Sequence, residues 1–191
     1  MIELGRVLKL QVQTGPLKVG PRRERYDPAN LVTVSRLEIS PRGVVGWQDD
    51  LMITDVHHQE HPQAGPHKGN NLSFNFTSHY EQMRGRFGGH LVDGCGGENI
   101  IFAAAAPITW AELQGELILE TKDGMCGRVI NLRAASPCAA FAQFALNDPA
   151  PNPPQMKITL QFLAEGQRGF YADWQGNPIL VHSGARLLRW P

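Results

Sequence analysis

Apolar and polar residues alternate in one short segment after another along this 191-residue chain, and that period of two constrains the fold more than any other feature. The clearest runs are residues 31–39, 117–120, 128–132, 156–162, 169–174 and 178–181, with fragments of the same kind around Val7 and Lys9. Turn residues bound each run, so each reads as a strand. Many short strands at close spacing predict a mainly β protein, a closed or partly open β-barrel with a few short helices, rather than a parallel α/β sheet. Trp174-Gln175-Gly176-Asn177 reads as a hairpin turn joining the last two runs.

Two helices interrupt the pattern. Ser78-His79-Tyr80-Glu81 has the form of a capping box, with Tyr80, Met83 and Phe87 on one face and Gly88-Gly89 as the stop. The second helix follows a strand: Ser136 suits the N-cap, Pro137 the first helical position, and the helix runs to about Leu146 before Asn147-Asp148-Pro149. Residues 148–154 hold four prolines and read as an extended connector within a single domain spanning residues 1–191.

Eighteen basic and eighteen acidic side chains cancel, which leaves no electrostatic footprint for nucleic acid or for an anionic membrane. The first residues carry Glu3, Arg6 and Lys9 where a secretory signal needs an apolar stretch, and no apolar run is long enough for a membrane span. A cytoplasmic protein is the expectation. Three cysteines without a Cys-x-x-Cys pair suggest neither a disulfide framework nor a structural zinc site.

The chemistry concentrates at Cys138. A thiol in the first turn of a helix sits beside unpaired N–H groups and the positive end of the dipole, which favour thiolate, and Arg133 upstream adds a cation. The competing reading is a core thiol, since Cys138, Phe141 and Ala145 fall at helical spacing on one face. His57, His58, His61 and His67 lie in an irregular stretch, residues 42–69, with no ligand set at metal-binding spacing, so they read as a solvated loop that could cover a pocket. Gly94-Cys95-Gly96-Gly97-Glu98-Asn99 reads as a tight turn that either brings backbone to a ligand or ties strands through Glu98 and Asn99. Lys68, after Ala64-Gly65-Pro66-His67, could hold an ammonium over an anionic group. No nucleophile elbow, Ser-His-Asp order or paired-carboxylate spacing points to a hydrolase.

Taken together, these segments resemble the MOSC family, the molybdenum cofactor sulfurase C-terminal domain, in its free-standing form. Ala64-Gly65-Pro66-His67-Lys68 resembles the family turn His-Gly-Gly-Pro-Asp-Lys, and Ser78-His79-Tyr80 the helix after it. Gly94-Cys95-Gly96-Gly97-Glu98-Asn99-Ile100 resembles Gly-x-Phe-Gly-Glu-Asn-Leu, Arg133-Ala134-Ala135-Ser136-Pro137-Cys138 resembles the Arg-x-Pro-Cys element, and Gly166-Gln167-Arg168-Gly169-Phe170-Tyr171-Ala172 resembles Gly-x-x-Gly-Trp-Tyr-Ala. The likeness covers residues 60–185. The chain departs from the pattern where Gln63 replaces the first histidine, His67 the aspartate and Gly96 the phenylalanine, and where Trp47-Gln48-Asp49-Asp50 follows Gly43 in place of Gly-Asp-x-His.

The resemblance implies a barrel-like fold in which Cys138 ligates the molybdenum of a molybdenum-pterin cofactor. It also implies a cofactor-binding set of Arg133, Lys68, Asn99, Glu98 and Ser136, in which Arg133, Lys68 and Asn99 contact the cofactor's anionic parts and Glu98 holds the glycine turn. The implied activity is reduction of an N-hydroxylated small-molecule substrate with electrons from a donor protein. Two alternatives stand beside it: a metal-free persulfide carrier charged by a cysteine desulfurase, and a degenerate ligand-binding domain without catalysis.

Overall fold

The computed structural model describes residues 1–64 and 70–190. In chain order the elements are β1 (Ile2–Gln13), a short arm of β2 (Lys18–Val19) and β3 (Arg25–Tyr26), β4 (Leu31–Thr33), β5 (Arg36–Ser40), β6 (Gly43–Gln48), β7 (Leu51–Thr54), β8 (Leu72–Phe76), α1 (Thr77–Phe87) and β9 (Ile100–Ala103). Then come β10 (Glu116–Glu120), β11 (Cys126–Ala134), α2 (Ala139–Leu146), α3 (Pro153–Phe162), β12 (Phe170–Gln175), β13 (Ile179–His182) and β14 (Arg186–Trp190).

Seven strands close a barrel in the order β1-β14-β10-β11-β12-β8-β9 and back to β1. Neighbours are antiparallel except β8 and β9, whose parallel pairing is made possible by the crossover that carries α1. A second sheet, β13-β5-β6-β7, shares its core with the barrel interior, where Leu37, Ile39, Val44, Ile179 and Val181 pack with Leu10, Phe74, Phe102 and Phe170. The alternation seen in the sequence sets the two faces of the barrel wall. In β8, Leu72, Phe74 and Phe76 point into this core, while Ser73 and Asn75 are buried on the other face among polar partners. In β9, Ile100 and Phe102 join the barrel core and Ile101 joins a second core made by the helices, with Tyr26, Tyr80, Met83, Phe141 and Leu163. The functional region lies on that outer, helix-covered side.

Three sequence expectations change. Residues 156–162 form helix α3, not a strand: Asn152 accepts the Gln155 N–H at 2.9 Å and prolines fill the first turn, so the helix is started by its cap. Met156, Leu160 and Leu163 then face the second core at helical spacing and Ile158 is left exposed. Residues 31–39 divide into β4 and β5, because Val34 N–H bonds Leu10 in the barrel while Ser35 N–H bonds Trp47 in the second sheet. Residues 174–177 form no hairpin, since β12 pairs with β11 and β8 whereas β13 pairs with β5; the turn carries the chain from one sheet to the other.

Candidate functional site

Cys138 is the N-cap of α2, half-buried, with extended backbone and a side chain that makes no capping hydrogen bond. The cap therefore falls on the cysteine and not on Ser136, which is exposed in the connector from β11. Pro137 stands before the helix, restricting the approach so that α2 begins one residue after the thiol. The next turn anchors the helix: Phe141 is fully buried against Tyr26, ring centroids 5.0 Å apart and edge-on. Asn147 ends it in the left-handed conformation, φ 50°.

The cation packed on this helix is Arg168, from the turn between α3 and β12. Its Nη2 donates to the Gly96 carbonyl at 3.1 Å, and its guanidinium carbon stands 4.5 Å from the Phe141 ring centroid. Burial opposes its charge, yet Arg168 stays protonated. Arg168 is only 8% exposed, and its Nε finds no hydrogen-bond partner among the described residues. A buried arginine donor without an acceptor is costly unless a ligand or water completes it.

Arg168 also lines a cleft of about 600 Å³ with Tyr171, Gly96, Gly97, Tyr26, Gln13, Val56, His57 and Gln63. Lys18 and Arg23 of the β2–β3 arm add two more cations, and among the described residues no carboxylate lines the cleft. Its chemistry suits an anionic ligand. The glycines are needed for space: a Cβ on Gly96 would stand 2.5 Å from Glu98 Oε1, and one on Gly97, at φ +97°, would meet Leu17 at 2.6 Å.

Beneath the glycines, Glu98 is buried and accepts from the Tyr80 hydroxyl at 2.7 Å and from Asn75 Nδ2 at 3.3 Å, while Tyr80 accepts the Gly96 N–H at 2.9 Å. Burial raises the Glu98 carboxyl above its ordinary range. Asn99 is also buried, and its side chain is spent within the protein: Oδ1 accepts from Ser73 N–H and Oγ, and Nδ2 donates to Asp55 Oδ2 at 2.9 Å. Both residues hold the turn's shape, and neither lines the cleft. Arg133, on β11 opposite Tyr171, is exposed and donates to Asn70 Oδ1 at 2.7 Å. Lys68 and His67 lie outside the described residues.

The histidine stretch is anchored at residues 55–58, while Gln59, Glu60, Pro62 and Gln63 are exposed as a solvated loop would be. Asp55 is 1% exposed, and its carboxylate accepts from Gln13 N–H, Asn99 Nδ2, His57 N–H and His57 Nδ1 at 2.8–3.0 Å. His57 thereby lines the cleft with its Nδ1 turned to Asp55. His58 is buried, its Nδ1 accepting the Glu60 N–H, and burial lowers its pKa below 6.5. Sequence reasoning missed both Arg168 and the Asp55–His57 pair. Asp55-Val56-His57 carries the Asp-x-His spacing absent directly after Gly43, displaced by one β-hairpin, and Arg168 occupies an unspecified position of the Gly-x-x-Gly-Trp-Tyr-Ala pattern.

The described residues contain no group of three His, Cys, Asp or Glu side chains able to hold a metal ion. A metal that arrives already chelated by an organic cofactor needs much less from the protein. The cleft's three cations and an unpartnered arginine donor fit a cofactor with anionic substituents, and the one soft thiol of this region, Cys138, stands outside the cleft's lining on the helix that Arg168 packs against.

No family model matches the chain, nor does any curated protein. Solved structures do. The YuaD protein from Bacillus subtilis matches with a TM-score of 0.60 at 9% identity, over 96% of this chain and 93% of that one. A hypothetical protein matches at 0.54 and 15%, over 97% of this chain and 68% of that one. YiiM from Escherichia coli matches at 0.52 and 14%, over 96% of this chain and 71% of that one. At these identities the likeness speaks for fold alone, and the chain shares its fold with these three proteins.

Proposed function

We propose that this chain binds a molybdenum-pterin cofactor with Cys138 as its thiolate ligand, and reduces N-hydroxylated small molecules using electrons from a separate donor protein. The observation that carries the reading is a half-buried thiol without a capping bond at the N-cap of α2, the helix whose Phe141 ring Arg168 covers while it also lines a cation-rich cleft; Cys138 itself packs against the second core and is not among the residues that line that cleft. Fold likeness and the ordered motifs support it. When bound, the cofactor supplies the redox centre. The protein's own part is to present one soft ligand, to hold anionic substituents with Arg168, Lys18 and Arg23, and to shape the floor of the cleft with Gly96 and Gly97. Glu98, Tyr80 and Asn99 keep that floor rigid from beneath.

The test is to purify the full chain from molybdate-fed cells and measure molybdenum and pterin per protein. The account expects both in near-equal amount in the wild type, and a loss of at least tenfold in Cys138→Ala with unchanged circular dichroism. A chain that neither carries nor takes up cofactor overturns the reading. In that case a single added sulfur on Cys138 after incubation with a cysteine desulfurase and cysteine, seen by intact mass, would establish the persulfide carrier instead.

A further inference from the structure

We propose that His57, oriented by the buried carboxylate of Asp55, is the acid–base group of the cleft and protonates the oxygen that leaves the substrate. The inference deepens the reductase reading and rests on it. His57 is the only histidine among the described residues that lines the cleft, and its side chain is 37% exposed while Asp55 is closed off from solvent. Nδ1 faces Asp55 Oδ1 at 3.0 Å, so the proton on that nitrogen is fixed and Nε2 is the nitrogen left to exchange a proton. Asp55 cannot turn away, because Gln13 N–H and Asn99 Nδ2 hold its other oxygen. A buried carboxylate that sets the tautomer and direction of an imidazole at a ligand cleft is one recurring arrangement in which histidine moves protons.

The reaction requires such a group. Reducing an N-hydroxylated compound breaks one N–O bond, forms one N–H and one O–H bond, and consumes two electrons and two protons, releasing water. The donor protein supplies the electrons. Hydroxide is a poor leaving group, so a proton delivered to the oxygen as the N–O bond breaks lowers the barrier, while the second proton reaches nitrogen from solvent. His57 Nε2 supplies the first and is reprotonated from water. The other charged or titratable groups on the cleft are Lys18, Arg23, Arg168, Tyr26 and Tyr171. Burial pushes Tyr26 well above its ordinary pKa and its hydroxyl already donates to the Cys95 carbonyl, and Arg168 stays protonated, so neither shuttles protons near neutrality.

Two measurements test this. In the first, nitrogen-15 NMR of the imidazoles in the cofactor-free chain identifies the tautomer of His57. The expected neutral form carries its proton on Nδ1, and a neutral form protonated on Nε2 overturns the proposal whatever the cofactor does. In the second, cofactor-loaded wild type and His57→Gln are compared in reduction of N-phenylhydroxylamine by reduced methyl viologen across pH 5–9. The variant is expected to keep its cofactor content and KM, to lose about 100-fold in kcat, and to regain activity with added imidazole. Wild-type kcat should fall as pH rises through the His57 titration seen by NMR, and the variant should show no such fall. A loaded variant with wild-type kcat overturns the role of His57 and leaves the reductase reading standing, whereas a loaded wild type that reduces nothing overturns both.

Discussion

At the residue scale, the three cysteines have different surroundings and should react differently. Cys95 is 3% exposed, and burial, with Glu98 nearby, pushes its thiol up to about 12. Cys126 is exposed and Cys138 is half-buried beside Arg168. Iodoacetamide at pH 8 should therefore label Cys126 and Cys138 in the native chain and spare Cys95 until denaturant is added, as read by peptide mass spectrometry. Labelling of Cys95 at the same rate as Cys126 would contradict the packing described. Glu98 makes a second prediction. Because burial raises its folded carboxyl above the ordinary 4.5, the folded chain retains a proton that the unfolded chain has released. That stabilising contribution is complete below 4.5 and is lost as pH climbs through the folded value. Urea midpoints of the wild type should thus fall relative to Glu98→Gln as pH is raised from 4.5, and parallel curves would place the ionisation elsewhere. The start of α2 was legible from the sequence to within two residues because capping chemistry is local, although the cap falls on Cys138 and not on Ser136. Arg168 and the Asp55–His57 pair were not, because their significance comes from partners far along the chain, at Gly96, Phe141 and Gln13.

At the element scale, helix starts separate what local pattern can tell from what it cannot. Ser78 looked like a cap, yet α1 begins at Thr77, where Oγ1 accepts the Ala104 N–H, and Ser78 Oγ is buried with no partner among the described residues. Asn152 caps α3 in a segment whose alternation imitates a strand. Asn152→Ala should cost about 1 kcal/mol. Ser78→Ala should be neutral or mildly stabilising, since it removes a buried hydroxyl that nothing satisfies. Urea denaturation compares the two variants directly, and a larger loss from Ser78→Ala would mean that its hydroxyl has a partner after all. Alternation identified β10, β11, β12 and β13 to within a few residues because each has one face in a core. It missed β8, whose inner phenylalanines pack in the barrel while its outer Ser73 and Asn75 serve the Glu98 and Asn99 networks, a use of polar residues that only tertiary structure reveals.

At the scale of the whole molecule, the closed ring of seven strands gives the site a rigid wall, with β1 pairing β9 along one stretch and β14 along another. The helices α1, α2 and α3 cover one side of that wall, and the cleft opens beside them, between the β2–β3 arm, the glycine turn and the segment after β7. No helix among the described residues is long and apolar enough to cross a membrane. This layout places Cys138 at the edge of the helical layer, packed against the second core and away from the barrel core. X-ray absorption at the molybdenum edge, on the chain loaded with cofactor, examines that placement most directly. Wild type should show one more sulfur neighbour on the metal than Cys138→Ser loaded with cofactor in vitro; an identical sulfur count in the two would show that Cys138 is not the ligand.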